Sequence, residues 1–146
     1  MPLTLLPVTL VLAGACALID LWLMIRIGQV RRAEKVWVGD ANSEPLVRRM
    51  RAQANFVETA PFVLILVGLI EFSVGTSAWL WAAAAAFLVA RVAHPFGMDG
   101  AGKARMLGAG LTMALLLALA IWAIAIPFTA HRGASEPIPV EAVPQG

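Results

Sequence analysis

The chain has 146 residues, of which 60% are hydrophobic and only 14% are charged, whereas a soluble domain carries about 25% charged residues. This composition argues against a soluble domain and indicates a single membrane domain at this length. The formal net charge of +2 gives no indication of nucleic-acid binding, and the one cysteine, Cys16, excludes an intrachain disulfide.

Four apolar runs are each long enough to cross a bilayer as a helix, which takes roughly 20 residues. They extend from Pro2 to Ile25, from Ala52 to Ile70, from Phe72 to Ala90 and from Met106 to Phe128. We therefore predict an all-α integral membrane protein, a four-helix bundle over residues 1–128 with spans at about 3–25, 46–71, 73–95 and 105–127. The second helix is expected to begin near Ser43 to Pro45, and Pro127 is expected to end the fourth.

The segments between these runs differ in character. The first, from Arg26 to Glu44, is long and polar, and the second is a short turn from Ser73 to Ser77. The third, from Gly97 to Gly102, is rich in glycine. The tail, residues 129–146, contains three prolines and is predicted to be a flexible, disordered polar segment.

The distribution of basic residues predicts the orientation in the membrane. Seven flank the first connection and three flank the third, namely Arg26, Arg31, Arg32, Lys35, Arg48, Arg49 and Arg51, then Arg91, Lys103 and Arg105. The eleventh, Arg132, lies in the tail. Because cytoplasmic loops carry an excess of Lys and Arg, we expect both termini on the non-cytoplasmic side.

Polar residues follow a helical period in the second span. At about 100° per residue, Arg48, Arg51, Asn55, Glu58 and Phe62 fall in one narrow stripe, and Arg49 and Gln53 point elsewhere. Such a stripe cannot face hydrocarbon without a cost of several kcal/mol, so we expect it to face protein or a wet cavity. Arginine matches a carboxylate and glutamate can hold an ammonium, so the stripe suits a zwitterionic, peptide-like ligand. The alternative is a purely structural network between helices.

Further polar residues lie at the predicted cytoplasmic ends of the other helices. Arg91 and His94 are one turn apart on one face of the third helix. Arg105 opens the fourth, where an anchor for lipid headgroups is the alternative to a ligand contact. Asp20, in the first span, requires a partner, for which the arginines of the second helix are candidates. No metal site is predicted.

These residues resemble the signature of the MAPEG proteins, the membrane-associated proteins of eicosanoid and glutathione metabolism. The resemblance rests on Arg48-x-x-Arg51-Ala-Gln53-x-Asn55-x-x-Glu58-x-x-Pro61, on Ala90-Arg91-x-x-His94, on Arg105, and on Arg31 and Arg32 after the first span. It covers about residues 10–128 and is nearest to the small bacterial branch of the family. It implies a homotrimer in a bacterial inner membrane that binds glutathione as co-substrate between subunits, near the cytoplasmic face.

The resemblance also implies roles for individual residues. Arg51, Asn55 and Glu58 would bind the glutathione backbone, with Arg48 and Gln53 in support. Arg91 and His94 would belong to the same site. Arg105 is similar in position to the arginine that stabilises the glutathione thiolate in leukotriene-forming members. A fixed cation near a thiol favours its ionised form.

The sequence is compatible with two hypotheses about function. The first is a glutathione transferase or peroxidase that acts on small hydrophobic electrophiles dissolved in the bilayer lipid, with no role for nucleic acid. The second is a non-catalytic membrane protein that keeps the polar stripe as a structural or ligand-binding network. Arg105 favours the enzyme. The absence of tyrosine from the chain favours the alternative, because Thr59, His94 and Met98 occupy positions where glutathione-using relatives commonly have tyrosine. A transporter is less favoured, because no broken helix offers a pathway.

Overall fold

The computed structural model describes residues 5–100 and 102–133, with side chains to Thr129. They form four helices, α1 (Pro7–Glu34), α2 (Glu44–Val74), α3 (Ala78–Met98) and α4 (Gly102–Gly133). Each is long and apolar enough to cross a membrane. The predicted all-α bundle of four apolar helices is therefore confirmed.

Local signals in the sequence explain where two of the helices begin. The Ser43 side chain accepts a hydrogen bond from the Leu46 amide at 3.2 Å, and Pro45 lies in the first turn of α2. Ser77 caps α3 in the same way through the Leu80 amide at 3.3 Å. Serine at the N-cap satisfies an amide that has no partner within the helix.

The first connection is shorter than the sequence predicts. It was expected to begin at Arg26, but α1 continues to Glu34, and Lys35 ends it in the left-handed conformation (φ 57°). The reason is that Ile27 and Val30 form a second small hydrophobic cluster with Leu46 beside the main core. Burial of these side chains stabilises two further turns of helix.

The prediction for the end of α4 is also corrected. Pro127 does not end the helix, which continues to Gly133, so the first residues of the predicted tail are helical. A proline removes one backbone hydrogen bond, and the helix tolerates the loss here as α2 tolerates Pro61. The remainder of the predicted tail, residues 134–146, lies outside the described residues.

The helices form a layered bundle in which α2 and α3 separate α1 from α4. Helix α3 packs most extensively against α4, and α1 against α2, whereas no described residues of α1 and α4 have Cα atoms within 8 Å of each other. The main core contains Leu12, Phe56, Val67 and Phe87, all at most 4% exposed. Large apolar side chains on the outside, such as Leu107 at 73% exposed, suit a surface that faces lipid.

Candidate functional site

The polar stripe of α2 lies on an open face of the bundle. Arg48, Arg51, Glu58 and Phe62 are exposed, and Asn55 is half-buried at the edge of the same face. Arg48 forms an ion pair with Glu44, one turn earlier, at 2.5 Å. Arg51 and Glu58 make no hydrogen bond or ion pair with any described residue. The chain's own helices thus leave two opposite charges of a membrane-spanning helix uncovered.

Asn55 connects this open face to the interior. Its amide oxygen accepts a hydrogen bond of 2.7 Å from Nη1 of Arg91 on α3. The other terminal nitrogen of Arg91 donates to the Gly108 carbonyl on α4 at 3.1 Å. Arg91 is only 2% exposed, so the structure places it behind Asn55 and not on the surface that a ligand would reach.

Gln53 lies on a different side of α2, as its position on the helical wheel predicts. Its amide donates to Asp20 on α1 at 3.3 Å. The partner of Asp20 is therefore this glutamine and not an arginine of α2. Gln53 also lines an open groove of about 580 Å³ between α1 and α2, together with Arg31 and Met50. Within one chain, Gln53 and Arg51 do not share a site.

Arg105 is exposed at the start of α4 and faces an open cleft of about 390 Å³. The cleft is lined by Arg48 from α2, by Gly97 and Met98 from α3, and by Met106 beside Arg105. A Cβ atom added at Gly97 would overlap the backbone nitrogen and Cα of Arg105. The missing side chain thus lets α3 lie against the first turn of α4. The structure brings Arg105 to the same end of the bundle as the stripe.

His94 is buried at 6% exposure, one turn after Arg91. It lies against Gly108, because a Cβ atom at that glycine would be only 3.1 Å from the histidine Cβ. Its Nδ1 atom has no hydrogen-bond partner within the described part of the chain. The structure therefore places His94 at the α3–α4 contact and not on the open stripe.

Two buried charged residues were not identified from the sequence. Glu71, 2% exposed, accepts hydrogen bonds from the backbone amides of Val8 and Thr9 and from the hydroxyls of Thr9 and Thr76. It caps the start of α1 and lies at the opposite end of α2 from the stripe. The only signal for it in the sequence was an acidic residue at the end of an apolar run.

The other missed residue is Arg26, which is 9% exposed. It forms an ion pair with Asp99 in the turn between α3 and α4. Its guanidinium also lies 5.0 Å from the centre of the Trp22 ring and 5.7 Å from that of Phe96. Its backbone carbonyl accepts a hydrogen bond of 2.6 Å from Arg49. This cluster holds α1, α2 and the α3–α4 turn together beside the Arg48–Arg105 cleft.

The chemistry that this end of the bundle supports is the recognition of anions and of zwitterions. Arg51 and Glu58 offer free charges of opposite sign, and Arg48 and Arg105 add two guanidinium groups. A guanidinium binds carboxylates in a planar, two-pronged geometry. Among the described residues, no group of His, Cys, Asp and Glu side chains is arranged to hold a metal ion.

Two comparisons with known proteins bear on the identity of this chain. A comparison with curated proteins found no match. The MAPEG family matches residues 9–125, which is most of the chain and includes all of α2 and α3 and most of α1 and α4. The match spans the α2 stripe and the cleft at Arg105. With four helices able to cross a bilayer and a match of this extent, the chain is an integral membrane protein that belongs to the MAPEG family.

Proposed function

We propose that this protein is a glutathione transferase or peroxidase that acts on hydrophobic electrophiles dissolved in the membrane. The observation that carries the proposal is that Arg51 and Glu58 on α2 are exposed and pair with no described residue, at the end of the bundle where the Arg48–Arg105 cleft lies. Charges within a membrane helix are costly unless they have a partner or a function. A tripeptide with two carboxylates and one ammonium is complementary to this set.

Each residue has a defined task in this proposal. Arg51 binds a carboxylate, Glu58 binds the ammonium, and Asn55 contributes a hydrogen bond between them. Arg105 lies beside the sulfur and stabilises the thiolate, which is the nucleophilic form of a thiol. The thiolate attacks the electrophilic carbon of the second substrate, a sulfur–carbon bond forms, and the leaving group departs with its electron pair.

We propose further that three chains form a closed ring. The subunit boundaries of a cyclic trimer pair two different faces of the same chain, and this chain has two open faces that carry polar side chains. One is the α2 stripe, and the other is the α1–α2 groove that contains Gln53 and Arg31. Contact between them would cover Arg51 and Glu58 and bring Gln53 from one copy to the stripe of the next.

The proposal includes a location in a bacterial inner membrane with the site at the cytoplasmic face. The described cations of the α1–α2 and α3–α4 connections all lie at one end of the bundle, which supports this orientation. A cysteine introduced at Asn42 should be protected from impermeant reagents in intact cells. Ready labelling from outside would contradict the proposed orientation.

A second function, a non-catalytic role, is favoured by a specific observation. Arg91 already donates a hydrogen bond to Asn55 within one chain, so part of the polar set stabilises the bundle without a ligand. The absence of tyrosine removes ring and phenol contacts that glutathione has in relatives. In this alternative, Arg51 and Glu58 pair with residues of a neighbouring copy and bind no small molecule.

Two arginine substitutions test the enzyme proposal, because the loss of Arg51 and the loss of Arg105 should affect binding and turnover differently. Arg51→Ala should weaken glutathione binding by about 1.5–3 kcal/mol, the contribution of a hydrogen bond to a charged group. Arg105→Ala should leave binding largely unchanged, raise the pKa of bound glutathione thiol and lower turnover at neutral pH, with partial recovery at alkaline pH. Thiolate absorbance across a pH series, with parallel binding measurements, separates the two effects.

The matched control is Arg32→Ala, which removes an exposed arginine of α1 that forms no hydrogen bond or ion pair with the described residues of the stripe. It should change neither binding nor the thiol titration. An unchanged titration in Arg105→Ala would show that the assigned role is wrong. If the unmodified protein does not bind millimolar glutathione, the non-catalytic alternative replaces the enzyme proposal.

A further inference from the structure

One buried side chain, that of Arg91, joins the three helices that build the candidate site. From α3 it donates to the Asn55 amide oxygen on α2 at 2.7 Å and to the Gly108 carbonyl on α4 at 3.1 Å. Its guanidinium lies 5.8 Å from the centre of the Phe87 ring. At 2% exposure it has no access to a ligand, so its effect on the site must act through the groups it holds.

The bond to Arg91 determines which end of the Asn55 amide faces the open stripe. A guanidinium has only donors, so the atom that meets it must be the amide oxygen. The amide nitrogen of Asn55 makes no hydrogen bond with any described residue, and the side chain is half-buried at the edge of the stripe. Asn55 therefore offers N–H donors on the side where Arg51 and Glu58 lie.

The backbone at Asn55 is held by a neighbouring side chain. The Thr59 hydroxyl donates to the Asn55 carbonyl at 2.9 Å, and its oxygen lies 3.5 Å from Nη1 of Arg91. Thr59 and Arg91 thus restrain the backbone and the side chain of Asn55 together. A free amide would present its oxygen or its nitrogen to a ligand by a rotation about χ2, and this arrangement removes that choice.

The second anchor of Arg91 positions α4. The Gly108 carbonyl accepts from Arg91 and also from the Thr112 hydroxyl at 2.8 Å. Gly108 lies in the turn after Arg105, and a Cβ atom on it would be 2.8 Å from the Ala90 carbonyl oxygen. The close approach of α3 to α4 at this point makes the Arg91 bond possible. The guanidinium of Arg91 therefore links Asn55 of the stripe to the first turns of α4, where Arg105 lies.

We propose that Arg91 is a positioning residue that makes Asn55 a hydrogen-bond donor toward the ligand. The ligand group bound by Asn55 is then an acceptor, a carboxylate or a peptide carbonyl, and never an ammonium. Asn55 then selects an acceptor and Glu58 selects an ammonium. A zwitterionic ligand can therefore bind along the stripe in only one orientation, which we call the polarity of the stripe. The ammonium at Glu58 and the choice of glutathione as that ligand rest on the proposed function, whereas the donor role of Asn55 does not.

A comparison of two substitutions at one position tests the polarity. Asn55→Asp keeps an oxygen toward Arg91 and replaces the outward donors by an acceptor, whereas Asn55→Ala removes both. If Asn55 donates to the ligand, Asn55→Asp should bind glutathione about tenfold or more weakly than Asn55→Ala. The reason is that a carboxylate oxygen of the new aspartate would then face an acceptor oxygen of the ligand. If Asn55→Asp binds as well as Asn55→Ala or better, the polarity is reversed and the proposal is overturned.

A second measurement examines the positioning without any ligand. The chain has two asparagines, Asn42 and Asn55, so selective ¹⁵N-asparagine labelling yields two side-chain amide signals, of which Asn42 is an exposed reference. The nuclear Overhauser effect of the Asn55 amide, which reports fast motion, should indicate a rigid group in the unmodified protein. It should fall toward the Asn42 value in Arg91→Met and recover in part in Arg91→Lys, which restores a donor.

Thr112→Val is the matched control, since it removes the other hydrogen bond at Gly108 and leaves the bond to Asn55 intact. It should not alter the Asn55 signal. Equal mobility of Asn55 in the unmodified protein and in Arg91→Met would overturn the positioning role. A rigid, Arg91-dependent Asn55 in a protein that does not bind glutathione would instead support the positioning and reject the proposed co-substrate.

Discussion

At the scale of single residues, the polar side chains of the spans fall into two groups. Glu71 and Arg91 are 2% exposed and hold several hydrogen bonds each within the chain. Arg51 and Glu58 lie on the open face and form no hydrogen bond with the part of the chain that the structure describes. A buried charge needs partners to offset its desolvation, so the first group stabilises the bundle and the second is available for a ligand or a neighbouring copy.

The first group gives a prediction about stability. Glu71→Gln should destabilise the protein by about 1–3 kcal/mol. In the unmodified protein both carboxylate oxygens accept hydrogen bonds from donors of α1 and Thr76, whereas the amide nitrogen of glutamine would face such donors and could not accept from them. Thermal unfolding in mild detergent measures the effect. The exposed Glu44→Gln is the control, and its surface ion pair with Arg48 contributes little. Equal unfolding temperatures for the two variants would contradict the structural role of Glu71.

At the scale of helices, glycines determine how closely α3 and α4 approach. Gly97 lies directly against the Arg105 backbone, and Gly108 lies against the Ala90 carbonyl and His94. Small residues at helix contacts in membranes allow backbones to pack closely. The position of Arg105 relative to α2 therefore depends on residues that carry no chemistry themselves.

The prediction at this scale compares two glycines in helices. Gly97→Ala should destabilise the protein by about 1–3 kcal/mol, the usual cost of overpacking, because the clash is with backbone atoms that cannot rotate away. Gly110→Ala is the matched control, since no atom lies within 4 Å of its added Cβ, and alanine favours the helix. Thermal unfolding of the purified variants decides the comparison, and similar stability of both would contradict the close contact at Gly97.

At the scale of the whole molecule, the chain has more polar surface in its spans than its own helices cover. The stripe on α2 and the groove beside Gln53 are open on different sides of the bundle. Lipid offers no hydrogen bonds to such groups. Contact between the stripe of one copy and the groove of the next would cover both faces at once, which is the physical basis of the proposed trimer.

Native mass spectrometry from mild detergent tests the assembly. The expected mass is three times that of the 15.5 kDa chain. Replacement of both open charges in Arg51→Leu/Glu58→Leu should weaken the trimer if they pair across the boundary and should leave it intact if they bind only a ligand. A protein that remains a monomer or dimer across detergents would contradict the ring.

Much of this architecture followed from the sequence alone. The four apolar runs predicted the helices, and the position of Ser43 predicted the start of α2, because length, hydropathy and capping are local properties. The 3.6-residue period placed Arg48, Arg51 and Glu58 on one face and Gln53 on another, and the structure confirms that arrangement. The same residues indicated the MAPEG family, which the family match confirms.

The tertiary structure alone decided which polar residues face one another. The bonds of Arg91 to Asn55 and of Glu71 to Thr9 join residues 36 and 62 positions apart, and periodicity within one helix does not determine partners on another. The ends of α1 and α4 also escaped prediction. Packing of Ile27 and Val30 against Leu46 extends α1, because tertiary contacts outweigh local signals. Helix α4 continues through Pro127, because the loss of a single backbone hydrogen bond does not end it.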